Sequence, residues 1–150
     1  MKPEAMPDSS PKTMKATAGE PTPAQAALLD ELKEGGLCDT AATLDALYHA
    51  AETLDYWRIA VPCAGAGSRN ALLTKLADTL QFPDHFGMNL DALYDCITDQ
   101  LLANKKKGAV LILQGAKKLP PEALSPVVDT LLDAAEFMQT KGQRLVIVLQ

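Results

Sequence analysis

The sequence predicts an α/β fold: a small three-stranded parallel sheet packed with helices, preceded by an N-terminal helical extension. Three observations predict it. Apolar-rich runs of strand length stand at residues 57–61, 109–113 and 145–149, and the last two contain no polar residue at all. Such continuous runs suit strands buried on both faces. Helical patterns separate the runs, so each strand returns by a crossover, which favours parallel pairing. Caps and breakers stand where those patterns begin and end.

Taken in order, residues 1–21 are rich in Pro, Ser, Thr, Lys and Glu and read as a disordered tail. Thr22, Pro23 and Gln25 open a helix: Thr22 as cap, Pro23 at the first helical position, Gln25 completing a capping box. Gly35-Gly36 stops it. A second amphipathic stretch follows, with Asp39 as a possible cap and Ala41, Leu44, Leu47, Tyr48, Ala51 and Leu54 as its apolar stripe. Residues 22–55 thus form the helical extension, and 56–150 the main domain. The first strand ends at Pro62, and Gly65 and Gly67 mark a loop. Ser68 caps a helix with Leu72, Leu73, Leu76 and Leu80 inward, stopped by Pro83. Gly87 turns the chain and Asn89 caps the next helix, whose apolar side is Leu90, Leu93, Tyr94, Ile97 and Leu101. A basic loop, 104–108, leads to the second strand. The last helix starts near Leu124 or Pro126 and stops at Gly142, before the final strand.

With 150 residues and 47% apolar content, the chain has room for one real core. No apolar run approaches the roughly 18 residues of a membrane span, so no membrane partner is expected. The N-terminal Lys residues are not followed by the apolar stretch of a secretory signal, and a cytoplasmic location is expected. Cys38, Cys63 and Cys96 make no CxxC and no metal-ligand spacing with His49 or His85. They fit idle thiols in a reducing compartment, and neither metal nor cofactor is expected. A net charge of −5 and a pI near 4.9 argue against direct nucleic-acid binding and suit a basic partner.

The stretch FPDHFGMNLDALYDCITDQL, residues 82–101, is the unusual one. Asp91, Asp95 and Asp99 recur at every fourth position of the helix, on one face, about 40° apart per step. Like charges spaced in this way cost a few tenths of a kcal/mol per pair. No Lys or Arg lies between Leu76 and Asn104 to offset them. The row is either a solvated face or a protein-binding patch. Its lack of mixed signs and its aromatic neighbours, His85 and Phe86 in the turn and Tyr94 on the helix, favour the patch. Tyr94 is equally readable as core packing, and His85 as an ordinary turn residue. A carboxylate enzyme with His85 as proton shuttle is the third reading. It needs a cleft, which side chains projecting from one convex helix do not imply, so no enzyme is expected. Aspartates on one helix rarely close a metal's coordination sphere, and no EF-hand spacing is present.

The same twenty residues closely resemble the central segment of the barstar family of intracellular ribonuclease inhibitors. The shared pattern is a Pro, an aromatic turn, Gly-x-Asn-Leu-Asp-Ala-Leu, an aromatic residue, Asp-Cys and a Thr. The resemblance extends in layout over about 56–150 and leaves out 1–55. It implies a compact α/β fold with a three-stranded parallel sheet. It also implies a function without chemistry: the acidic helix and preceding turn plug the active site of a basic ribonuclease, with carboxylates where RNA phosphates would sit. On that resemblance Asp95 is the central anion, Asp91 a second charged contact, and Tyr94 and His85 aromatic-position contacts. Asp99 extends the row, and Gly87 and Asn89 are structural. Cys96 matches a family cysteine. The chain departs from the pattern at Gln100, where a Trp is usual, at Asp99 for Gly and at His85 for Tyr. It departs again at Phe137, beside Glu136, where the last helix of the archetype has a Glu. The expected partner is a basic ribonuclease or another basic toxin protein. The alternative is a barstar-like interaction or immunity module that has a different partner and inhibits no ribonuclease.

Overall fold

The computed structural model describes residues 21–150. All but the last residue of the expected tail, 1–21, lie outside them. Along the chain run α1 (Pro23–Glu34), β1 (Gly36–Cys38), α2 (Leu44–Thr53), β2 (Tyr56–Pro62), α3 (Arg69–Leu80), α4 (Leu90–Asn104), β3 (Gly108–Gln114), a 3-10 turn (Ala116–Lys118), α5 (Pro121–Thr140) and β4 (Arg144–Leu149). Among the described residues the strands form one four-stranded sheet in the order β1-β4-β3-β2, parallel throughout. β2 and β3 are in register from Tyr56 opposite Gly108 to Pro62 opposite Gln114.

The expected three-stranded sheet is therefore corrected to four. The added strand is β1, three residues that the sequence shows only as the glycine stop of a helix. Gly35 and Gly36 both have positive φ, 77° and 78°, a conformation glycine adopts without steric cost. They do stop α1, but they also turn the chain onto the edge of β4, where Gly36, Leu37 and Cys38 lie opposite Val146, Ile147 and Val148.

Side chains alternate across the sheet as a period of two requires. Ala109, Leu111, Leu113, Leu145 and Ile147 join one buried cluster with Leu72, Leu73 and Leu76 of α3, Leu93, Ile97 and Leu101 of α4, and Val127, Leu131 and Met138 of α5. Val110, Ile112, Val146 and Val148 point the other way. They meet Leu28 and Leu32 of α1 and Leu47, Ala50 and Ala51 of α2. Helices thus cover both faces, which explains the unbroken apolar runs of β3 and β4. The capping box on α1 forms, with Thr22 and Gln25 bonding reciprocally. The cap of α2 is Thr43 rather than Asp39. α5 begins at Pro121 and runs through Pro126, earlier than the internal proline suggests. No helix among the described residues is long and apolar enough to cross a membrane.

Candidate functional site

The segment 82–104 is built from local hydrogen bonds and two aromatic anchors. Phe82 is buried and its ring lies 5.0 Å from that of Phe86, a separation typical of favourable aromatic pairs. The Phe86 amide donates to the Pro83 carbonyl at 2.9 Å and closes the turn. His85, between the two anchors, is exposed. Asn89 then caps α4: its Oδ1 accepts from the Ala92 amide at 2.8 Å while its Nδ2 donates to the Gly87 carbonyl at 3.2 Å. Such a cap stabilises a helix by about 1 kcal/mol. A Cβ on Gly87 would come within 2.9 Å of that Nδ2, so a side chain there would disturb the cap.

The far end of α4 is fastened by two glutamines. Gln100 Nε2 donates to the Leu80 carbonyl at 2.8 Å, satisfying an acceptor left over at the end of α3. Gln143, just before β4, donates to the Leu101 and Lys106 carbonyls at 3.0 and 2.8 Å. Inside the helix, the buried hydroxyl of Thr98 donates to the carbonyls of Tyr94 and Asp95 at 2.8 and 3.1 Å.

On this fixed helix Asp91, Asp95 and Asp99 are all exposed. Among the described residues, the ion pairs are Arg58–Glu52, Lys106–Asp55 and Lys117–Asp39, and none includes a member of the row. Tyr94 is half-buried. It packs against the core cluster, and its ring stands 6.2 Å from that of Phe137 on α5, tilted by 53°. Cys96, beside Asp95, is also half-buried. Burial raises its thiol pKa first, and the charges of Asp99 and Asp95 raise it further. All three cysteines are free thiols.

Two pockets lie away from the row. One of about 550 Å3 is lined by the 64–67 loop, Gly115, Lys117, Lys118, Leu119, Pro120 and Gln150. A second, of about 220 Å3, lies between the α1–β1 turn and α5. Neither includes an aspartate of the row. Among the described residues no group of three or more His, Cys, Asp or Glu is placed to hold a metal ion.

Two features of the surface near α4 were not singled out from the sequence. α5 exposes Glu122, Asp129, Asp133 and Glu136, and no Lys or Arg occurs in its whole length; that absence is readable in the sequence. The second is Lys141, whose Nζ sits 5.5 Å from the centre of the Phe137 ring. Phe137 and Lys141 stand four residues apart, a spacing the sequence shows and a helix brings together.

A comparison with curated proteins found no match. A family model described as Barstar (barnase inhibitor) matches residues 57–150, from the second residue of β2 to the end of the chain given. With the parallel α/β core, the fixed acidic helix and more than half of the chain inside that match, the chain belongs to the barstar family.

Proposed function

We propose that this protein inhibits a basic ribonuclease by laying α4 and the preceding turn into its active site, with Asp91 and Asp95 in the places of RNA phosphates. Tyr94, His85 and Asp99 complete the contact surface, and Gly87 and Asn89 hold it in shape. The observation that carries this reading is the row of exposed carboxylates without a cationic partner among the described residues, on a helix fastened at both ends. Preorganised charges of one sign attract an oppositely charged site before contact and lose little freedom on binding. Inhibition is steric and electrostatic, and no bond is made or broken. Acting on a nuclease made in the same cell places the protein in the cytoplasm.

The test is a titration of a barnase-type ribonuclease with the protein and with Asp95→Ala. Stoichiometric inhibition by the first is expected. The variant should lose about 3 kcal/mol or more of binding, because the cations facing Asp95 would be left buried and unpaired. Affinity should fall as salt rises, chiefly through the association rate. Equal inhibition by the variant would refute the assignment of the site.

One observation favours the alternative, a barstar-like module with a different basic partner. Where the resemblance places a Glu on the last helix, this chain has Phe137 under the ammonium of Lys141. Absence of inhibition at any salt concentration would select that alternative.

A further inference from the structure

Tyr94 and Phe137 link the acidic helix to the end of α5, where Lys141 stands beyond the exposed Asp133 and Glu136. Tyr94 follows Asp91 and precedes Asp95 in α4, and its ring lies 6.2 Å from Phe137. The Lys141 ammonium lies 5.5 Å from the centre of the Phe137 ring. That is within the range of a cation–π contact. Lys141 is the C-terminal cap of α5, with its amide donating to the Met138 carbonyl at 2.9 Å. The helix dipole favours a cation there. Among the described residues no carboxylate lies within ion-pair distance of it. Its position is therefore set by the backbone and the ring, and its charge stays available. A single lysine set among the exposed acidic residues of α4 and α5 does not match a uniformly basic partner. A positive group brought opposite Lys141 meets a like charge, whereas a carboxylate there meets a partner.

We propose that Lys141, seated on Phe137, is a specificity-determining residue of the binding face. It selects a basic partner that carries an acidic group opposite the end of α5 and disfavours one whose rim is basic throughout. The inference rests on the reading of α4 as the inhibitory helix. Specificity of this kind arises from a repulsive element as much as from attractive ones. The aromatic pair supplies the rigid platform that makes the repulsion depend on position.

The probe is purified barnase, titrated at low and moderate salt with four proteins: the unaltered chain, Lys141→Glu, Lys33→Glu and Asp95→Ala. Lys33 lies in the last turn of α1, on the other side of the sheet, and its substitution makes the same change in net charge. All three substituted positions are exposed, so each variant should fold. The expected result is that Lys141→Glu tightens the complex by about tenfold at low salt. The gain should shrink as salt rises, and Lys33→Glu should change affinity by less than about threefold. If Lys141→Glu and Lys33→Glu act alike, the proposal is overturned and only net charge matters. If Lys141→Glu has no effect while Asp95→Ala abolishes binding, the inhibitory reading stands and Lys141 lies outside the interface. If no variant forms a complex, or Asp95→Ala binds as well as the unaltered chain, the inhibitory reading fails and the proposal falls with it.

Discussion

Cys96 reports on the charges beside it. Its thiol pKa is raised by burial and then by Asp99 and Asp95, so the protein holds the thiol proton more tightly than a free cysteine does. The reactive form is the thiolate, and a raised pKa leaves less of it at a given pH. Removing a neighbouring negative charge lowers the pKa and must speed alkylation. At pH 8, Asp99→Asn and Asp95→Asn should each raise the rate of Cys96 modification by iodoacetamide, by about twofold or more. Cys38 and Cys63 should lag, because burial pushes both thiols up to about 11, and mass spectrometry of the labelled peptides separates the three. Unchanged rates would mean that the row exerts no local field. Much of this site was legible in the sequence. The acid row, the Asn89 cap and the glycine beside it all follow from local spacing, which a helix enforces. Whether Tyr94 packs or binds was not legible, because a half-buried ring depends on where Phe137 arrives from α5.

At the scale of elements, Gln100 joins α4 to the end of α3. Its amide nitrogen satisfies the Leu80 carbonyl, while its own Oε1 is buried with no hydrogen-bond partner in the protein. Gln100→Leu loses the bond but also removes that idle acceptor. Gln100→Glu keeps the shape, loses the donor and adds a charge. The glutamate variant should therefore be the less stable, by about 1–3 kcal/mol relative to the unaltered chain, and leucine should cost less. Urea denaturation at neutral pH compares them: the reverse order would show that the added charge is not penalised, and a leucine variant as stable as the unaltered chain that the bond contributes nothing. The sequence marks Gln100 only as a departure from the family pattern, since its acceptor lies twenty residues away on another helix. β1 was illegible for a related reason. Three residues show no readable alternation, and the strand that pairs with them is β4, more than a hundred residues away. Pro126 misled in the other direction. Proline forfeits one helical hydrogen bond, yet α5 continues because Val127, Leu131, Ala134 and Met138 bury a full face beyond it.

Across the whole molecule, the family match and the folded unit do not coincide. Residues 57–150 carry the match, but one face of their sheet is covered by α1 and α2, which lie outside it. Composition and periodicity made those helices visible, and their apolar stripes required cover of some kind. Which surface they cover is fixed by the alternate residues of β3 and β4, which continuous apolar runs do not reveal. Val110, Ile112, Val146 and Val148 are fully buried when α1 and α2 are present. A chain of residues 55–150 should expose them as one apolar face and self-associate. Size-exclusion chromatography and binding of a hydrophobic dye would show it. A monomer that unfolds cooperatively and binds no dye would mean the extension is dispensable.

The strand order also constrains when the protein can assemble. β4, formed by residues 144–149, lies inside the sheet, between β1 and β3. On the ribosome, β1 emerges first but has nothing to pair with until more than a hundred further residues have been made. Until then α1 and α2 have only part of their surface to dock on. Assembly is thus postponed until β4 has been made, and pairings this distant in sequence form slowly. Because α4 gains its full support only when β4 slots in, the proposed inhibition would require the protein to be made in advance of the nuclease.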